Sequence, residues 1–117
     1  MKLPNVEAAL IPREKIVDYL LSSFHKDGKG KADFFKRFGF TVELWHILAE
    51  ALVKQALENE VMKKENTPFG TRYVVEGNLE TPSGRRAKVR AVWFIEFENT
   101  VPRLATAYPL RRGVEND

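Results

Sequence analysis

The chain has 117 residues, 44% of them apolar and 30% charged, which is enough apolar material for one buried core under a well-hydrated surface. It contains no cysteine, which excludes disulfides, thiol chemistry and cysteine-ligated zinc or iron–sulfur centres and accords with a cytoplasmic setting. The formal net charge of +3, from 19 basic and 16 acidic residues, is too small to indicate nucleic acid by itself, and no apolar run resembles a signal peptide or membrane span.

Residues 1–11 read as an extended lead-in whose Leu3, Val6, Leu10 and Ile11 tuck against the body. Pro12 suits a helix start, where its missing N–H costs nothing, and Ile16, Tyr19 and Leu20 follow at helical spacing over 13–22. A polar loop comes next. Phe34, Phe35 and Phe38 then repeat the helical spacing, with Gly39 placed to end that turn. Thr41 is a fair N-cap for the longest helix, about 42–59, whose stripe of Leu44, Trp45, Leu48, Ala51, Leu52 and Ala56 is wide enough to lie on a sheet.

From Asn59 the pattern changes to strands. Val61-Met62 begins a short one, Thr67-Pro68-Phe69-Gly70 makes a turn, and 71–79 alternates with Tyr73, Val75 and Leu79 on one side. Thr81-Pro82-Ser83-Gly84 signals a hairpin. Residues 88–97 form the clearest strand, with Val89, Ala91, Trp93, Ile95 and Phe97 on one face and Lys88, Arg90, Val92, Phe94 and Glu96 on the other. A last strand runs from Arg103 to Tyr108 and ends at Pro109. The expected fold class is α+β, with about three N-terminal helices packed on a roughly four-stranded antiparallel sheet. Residues 1–110 make up that domain, and 111–117 a polar tail.

Charge is concentrated in the loop. From Ser22 to Arg37 stand Lys26, Lys29, Lys31, Lys36 and Arg37 against Asp27 and Asp33. Phenylalanines at 24, 34 and 35 pin the ends of this stretch, while Gly28 and Gly30 keep its backbone open. Lys31 falls at a helix start, where the positive helix end adds to its field, so an anion is the natural guest. The sheet face opposite the long helix carries Arg72, Glu76, Lys88 and Arg90 among Val74, Val92 and Phe94. That mixture reads as a binding surface or, equally, as an ordinary half-covered sheet.

His25 is the best-placed group for proton transfer near neutral pH. Cleaving RNA without a metal needs a base for the 2′-OH, an acid for the leaving 5′-oxygen and cations for the phosphorane charge. His25 suits the base or the acid, with Lys31 and Arg90 holding the charge; taken alone, it also reads as a plain surface loop residue. His46, between Trp45 and Ile47, reads as a helix-surface residue. The Gly28-Lys29-Gly30-Lys31 stretch departs from the phosphate-loop pattern, and no carboxylate–histidine spacing marks a metal site, so neither metal nor cofactor is expected. Glu76 and Glu96 are expected to be ion-paired, and Trp93 and the phenylalanines of 34–38 to be core.

Three segments carry a resemblance over roughly residues 1–110. They are Tyr19-Leu20-Leu21 with His25-x-x-Gly28-x-x-Lys31-Ala32-x-x-Phe35, Tyr73-Val74-Val75-Glu76-Gly77 with Pro82-x-Gly84-Arg85, and Val89-Arg90-x-Val92-Trp93 running on to Pro102-Arg103-Leu104-x-Thr106-Ala107-Tyr108-Pro109. Together they resemble the bacterial DUF6883 family, which occurs alone and as the C-terminal tips of polymorphic toxins. The helix-then-strand order is also similar to the barnase, EndoU, colicin and RelE group of ribonucleases. This likeness implies that His25 and Lys31 face Arg90, Thr106 and Tyr108, with a hydroxyl on the last strand positioning the scissile phosphate. Lys26 stands where the family often has proline, which loosens the loop holding His25.

The reading is therefore a metal-independent, toxin-type ribonuclease with catalytic residues His25, Lys31, Arg90, Thr106 and Tyr108. Lys26, Lys29, Arg72 and Lys88 would bind RNA phosphate. The rival is a non-catalytic module of a two-protein bacterial system, with a small antitoxin- or immunity-like partner. An exposed edge at the last strand would allow a homodimer.

Overall fold

The computed structural model describes residues 1–22 and 29–110, with Lys29 described through its backbone. A 3-10 turn at Val6–Ala8 precedes helix α1, Arg13–Lys15, which runs straight into a π turn at Ile16–Leu20. Helices α2, Lys29–Arg37, and α3, Trp45–Glu58, follow. The antiparallel sheet has strands β1 (Val61–Thr67), β2 (Gly70–Leu79), β3 (Ala87–Glu96) and β4 (Arg103–Pro109), in the order β1-β2-β3-β4. The α+β class and the helices-first order are as the sequence indicates.

The π turn departs from the regular helix expected over 13–22. Leu21 N–H reaches Ile16 O at 2.8 Å, one residue farther than an α-helix allows. In so wide a turn residue i lies between i+4 and i+5, so Ile16, Leu20 and Leu21 all enter the core. The turn leaves Lys15 and Tyr19 half-buried.

Along β3, Val89, Ala91 and Trp93 are buried on the inner face, paired across β2 with Gly77, Val75 and Tyr73. Helix α3 covers this face with Leu48, Leu52 and Ala56, and the Gln55 side chain donates to Gly77 O at 3.0 Å and Val89 O at 2.7 Å. Phe35 and Phe40 close the same core edge-to-face. The outer face carries Glu76, Arg90 and Tyr108 in one cross-strand row, and Val74, Val92 and Thr106 in the next.

A bulge in β4 decides what faces outward. The register slips between Val92 and Trp93, whose partners are Thr106 and Leu104, so Ala105 is the extra residue. Leu104 and Ala107, three apart, are therefore both buried inside, while Arg103, Thr106 and Tyr108 belong to the outer rows.

Several expectations are corrected. The long helix starts at Trp45 rather than 42: Thr41 Oγ1 accepts from Leu44 N–H at 3.2 Å across a turn, and Leu44 itself is exposed. Phe97 lies beyond the end of β3 and is 60% exposed, because the chain turns away there with Glu98 in the left-handed region. Leu10 is also exposed, since its backbone pairs with β4 rather than its side chain packing inside. The first strand extends to Thr67, and Pro109 lies within β4, paired with Val89. The free edge of β4 is partly occupied, by Leu10 N–H on Pro102 O and by Lys15 Nζ on Ala105 O. The 111–117 tail lies outside the described residues.

Two glycines test the backbone argument. At Gly70 (φ +156°) an added Cβ would stand 2.3 Å from Ile95 O and 2.8 Å from Glu96 Cα, whereas at Gly30 it would meet nothing within 4 Å. Gly70→Ala should therefore lower stability by more than about 1 kcal/mol, and Gly30→Ala, in helix α2, should raise it by about 0.4–1 kcal/mol. Denaturant titration of both variants checks the opposite signs.

Candidate functional site

Lys31 lies in the first turn of α2, and its side chain crosses to the last strand. Its Nζ donates to Tyr19 OH at 2.5 Å and to Thr106 Oγ1 at 2.9 Å, and stands 4.6 Å from the Tyr19 ring centroid and 5.8 Å from that of Tyr108. Two of its three N–H donors are thus committed. Lys15 approaches the Tyr19 ring from the other helical segment at 5.2 Å. Four side chains from the π turn, α2 and β4 therefore meet at one place on the sheet's outer side.

Arg90 lies beside this cluster on β3. Its Nε donates to Glu76 Oε2 at 2.5 Å, its Nη2 reaches the same oxygen, and its Nη1 lies 3.4 Å from Tyr108 OH. The arginine and glutamate are 34% and 25% exposed, so the pair borders solvent and is open to a competing anion. Tyr108 stands between the two cations, with the Arg90 guanidinium 5.9 Å from its ring.

The electrostatics follow from this arrangement. Burial pushes the Tyr19 phenol up, but hydrogen bonds from Lys31 and Thr106 and the charges of Lys31 and Lys15 outweigh it, leaving the phenol below its ordinary value. Arg90 is held above its ordinary value by Tyr108 and then by Glu76, so it stays charged. The cluster combines fixed cations with a phenol held below its ordinary value and a threonine hydroxyl. That set suits holding a phosphate and moving a proton beside it.

Of the expected site residues, the structure brings together Lys31, Thr106, Tyr108 and Arg90. Arg72 lies on the same face, two rows away, bound to Glu65 at 2.6 Å, and Lys88 is exposed beyond Arg90. His25 and Lys26, and the side chain of Lys29, lie outside the described residues. His46 is exposed on α3, its ring 6.2 Å from that of Trp45. Glu76 and Glu96 do not oppose each other: Glu76 pairs with Arg90, and Glu96 with Arg103 at 3.0 Å. Tyr19 was missed as a site residue because its helical spacing marked it only as core. Its place four residues after Lys15 was the available signal. Among the described residues, no group of three or more histidine, aspartate or glutamate side chains is arranged to hold a metal ion. None of their helices is long and apolar enough to cross a membrane.

Comparison with known proteins agrees with this architecture. A chain in the "Contact-dependent growth inhibition toxin - immunity protein complex from Klebsiella pneumoniae 342" has the same fold, with a TM-score of 0.69 at 20% identity, over 89% of this chain and 95% of that one. The profile of the family described as "Domain of unknown function (DUF6883)" matches residues 2–111. The chain belongs to the DUF6883 family. No curated protein sequence matches it.

The Lys31–Tyr19 contact predicts a measurable titration. Lys31→Met removes the charge and the hydrogen bond that lower the Tyr19 phenol but leaves the burial that raises it, so the phenol midpoint moves upward. Ultraviolet difference spectra of phenolate formation, with Tyr19→Phe to assign the signal, check the direction of this shift.

Proposed function

We propose that the protein binds RNA phosphate on the outer sheet face and cleaves the chain by attack of its own 2′-OH, as a metal-independent ribonuclease of toxin type. The observation that carries this reading is the Lys31 ammonium shared between Tyr19 OH and Thr106 Oγ1, with Arg90 and Tyr108 on the same face. The fold shared with a chain of a growth-inhibition toxin–immunity complex supports it as an analogy of architecture.

The chemistry divides among these groups as follows. A base removes the 2′-OH proton and the oxygen attacks phosphorus. The P–O5′ bond then breaks as an acid protonates the leaving oxygen, giving a 2′,3′-cyclic phosphate and a 5′-hydroxyl. His25 and the acidified Tyr19 phenol take the two proton-transfer roles. Lys31 offers its remaining N–H, and Arg90 exchanges Glu76 for a non-bridging oxygen, so both meet the charge that grows on the phosphorane. Thr106 and Tyr108 orient the phosphate by their hydroxyls, while Lys26, Lys29 and Lys88 extend the field around it.

Wild type should convert transfer-RNA or messenger-RNA fragments to products with cyclic phosphate ends, in EDTA as in its absence. Lys31→Ala and Arg90→Ala should each slow cleavage by about 10²–10³, and His25→Ala by about 10²–10⁴. End-group analysis of the products checks this: equal cleavage by wild type and variants, or cleavage by none, rejects the mechanism.

The second reading, a non-catalytic interaction module, is favoured by the partner named in the neighbour's complex. Stoichiometric capture of a small protein by a chain that cleaves no RNA would select it.

A further inference from the structure

The outer face does not end at Tyr108. Two rows along the sheet, Phe94 is half-buried between Arg72 of β2 and Arg103 of β4, which are its register partners on either side. The Arg103 guanidinium lies 6.0 Å from the Phe94 ring centroid. Phe94 lies four residue steps along the strand from Arg90, about 13 Å at ~3.3 Å per residue. Val74 and Val92 occupy the row between them and are nearly fully buried, so Phe94 and the flanking charged side chains are the accessible groups of this face.

The charges on this face favour a polyanion. Each carboxylate of the face is matched by an arginine: Glu65 by Arg72, Glu76 by Arg90 and Glu96 by Arg103. Lysines come in addition, with Lys63 and Lys88 on the face and Lys15 and Lys31 at its β4 edge. The excess is therefore positive. The arginine pairs at Arg72 and Arg103 are substantially exposed, so they exchange readily with phosphate oxygens.

We propose that this face is a track for single-stranded RNA, on which a base beside the scissile phosphate stacks against Phe94 while Arg72 and Arg103 hold the adjoining backbone. The track rests on the reading of the Lys31–Arg90 site as the phosphate-binding centre and names its substrate class. A single strand has bases free to leave their neighbours and lie on an aromatic ring, whereas a duplex keeps them stacked within itself. The ring and its flanking cations thus select unpaired RNA without reading a particular base.

The test uses the whole chain and a fully 2′-O-methylated RNA, which lacks the attacking hydroxyl and reports binding alone. It is offered as a labelled single strand and as the matching duplex, with binding read by fluorescence polarisation. Wild type should prefer the single strand. Phe94→Leu, which keeps an apolar side chain of similar bulk, should weaken that binding by about 5- to 150-fold, in line with the loss of one stacked base, while Phe94→Trp should retain it. With unmodified RNA, Phe94→Leu should also reduce the advantage in kcat/KM of a long strand over a dinucleotide by a similar factor. Thermal melting of each variant shows that the fold is kept.

Single-strand binding unchanged in Phe94→Leu, or duplex bound as tightly as single strand, overturns the track. If wild type cleaves the dinucleotide with dependence on Lys31 and yet ignores Phe94, the track alone fails. If wild type neither binds nor cleaves RNA, the phosphate-binding reading fails and the track with it.

Discussion

Side chains on successive residues of a strand point to opposite faces, and β3 turns that constraint into the plan of the whole molecule. Its odd-numbered residues Val89, Ala91 and Trp93 are fully buried on the inner face, and its even-numbered residues Arg90 and Phe94 lie on the outer face with their neighbours from β2 and β4. One set of contacts makes the core and the other leaves a polar surface on a rigid support. A strand flanked on both sides by hydrogen-bonded partners gives such a surface little freedom to shift, which suits a site that has to hold charges in fixed positions.

The helical half reaches that surface through Lys31, with Lys15 donating to Ala105 O beside it. Lys31 leaves α2 and joins Tyr19 to Thr106, so the cluster exists only because three separate elements converge on the β4 edge. The π turn and the β4 bulge make this possible. The turn brings Ile16, Leu20 and Leu21 into the core together while Tyr19 stays at its margin. The bulge lets Leu104 and Ala107 be buried on one side while Thr106 and Tyr108 stay on the other. Irregularities of both kinds interrupt backbone pairing, and they recur where a side chain has to be aimed. Here each lies next to a group of the candidate site.

Much of the fold was legible in the residues. The alternation over 88–97 and the apolar stripe of the long helix follow from periodicity, which local backbone geometry imposes directly. Boundaries were less legible. Thr41 and Leu44 look like a cap and a first helical turn, but the turn they form precedes the helix, and Leu44 is left exposed. Phe97 continues the alternation of β3 on paper, yet the chain has already turned at Glu98. In both cases the deciding interaction was a turn hydrogen bond or a backbone conformation, which hydrophobic pattern does not encode.

The amino-acid order by itself determined which residues are apolar and at what period, and so the α+β class, the helices-first arrangement and the inner face of the sheet. The resemblance it carries, rather than its pattern, implied that His25 and the four residues Lys31, Arg90, Thr106 and Tyr108 face one another. Only the tertiary structure decided that these four do meet, that Tyr19 and Lys15 join them, and that Glu76 occupies Arg90. The physical reason is that strict alternation from Leu104 would turn Thr106 inward. The extra residue of the bulge reverses that facing, and a register slip of one residue is set by pairing between strands rather than by the sequence of either.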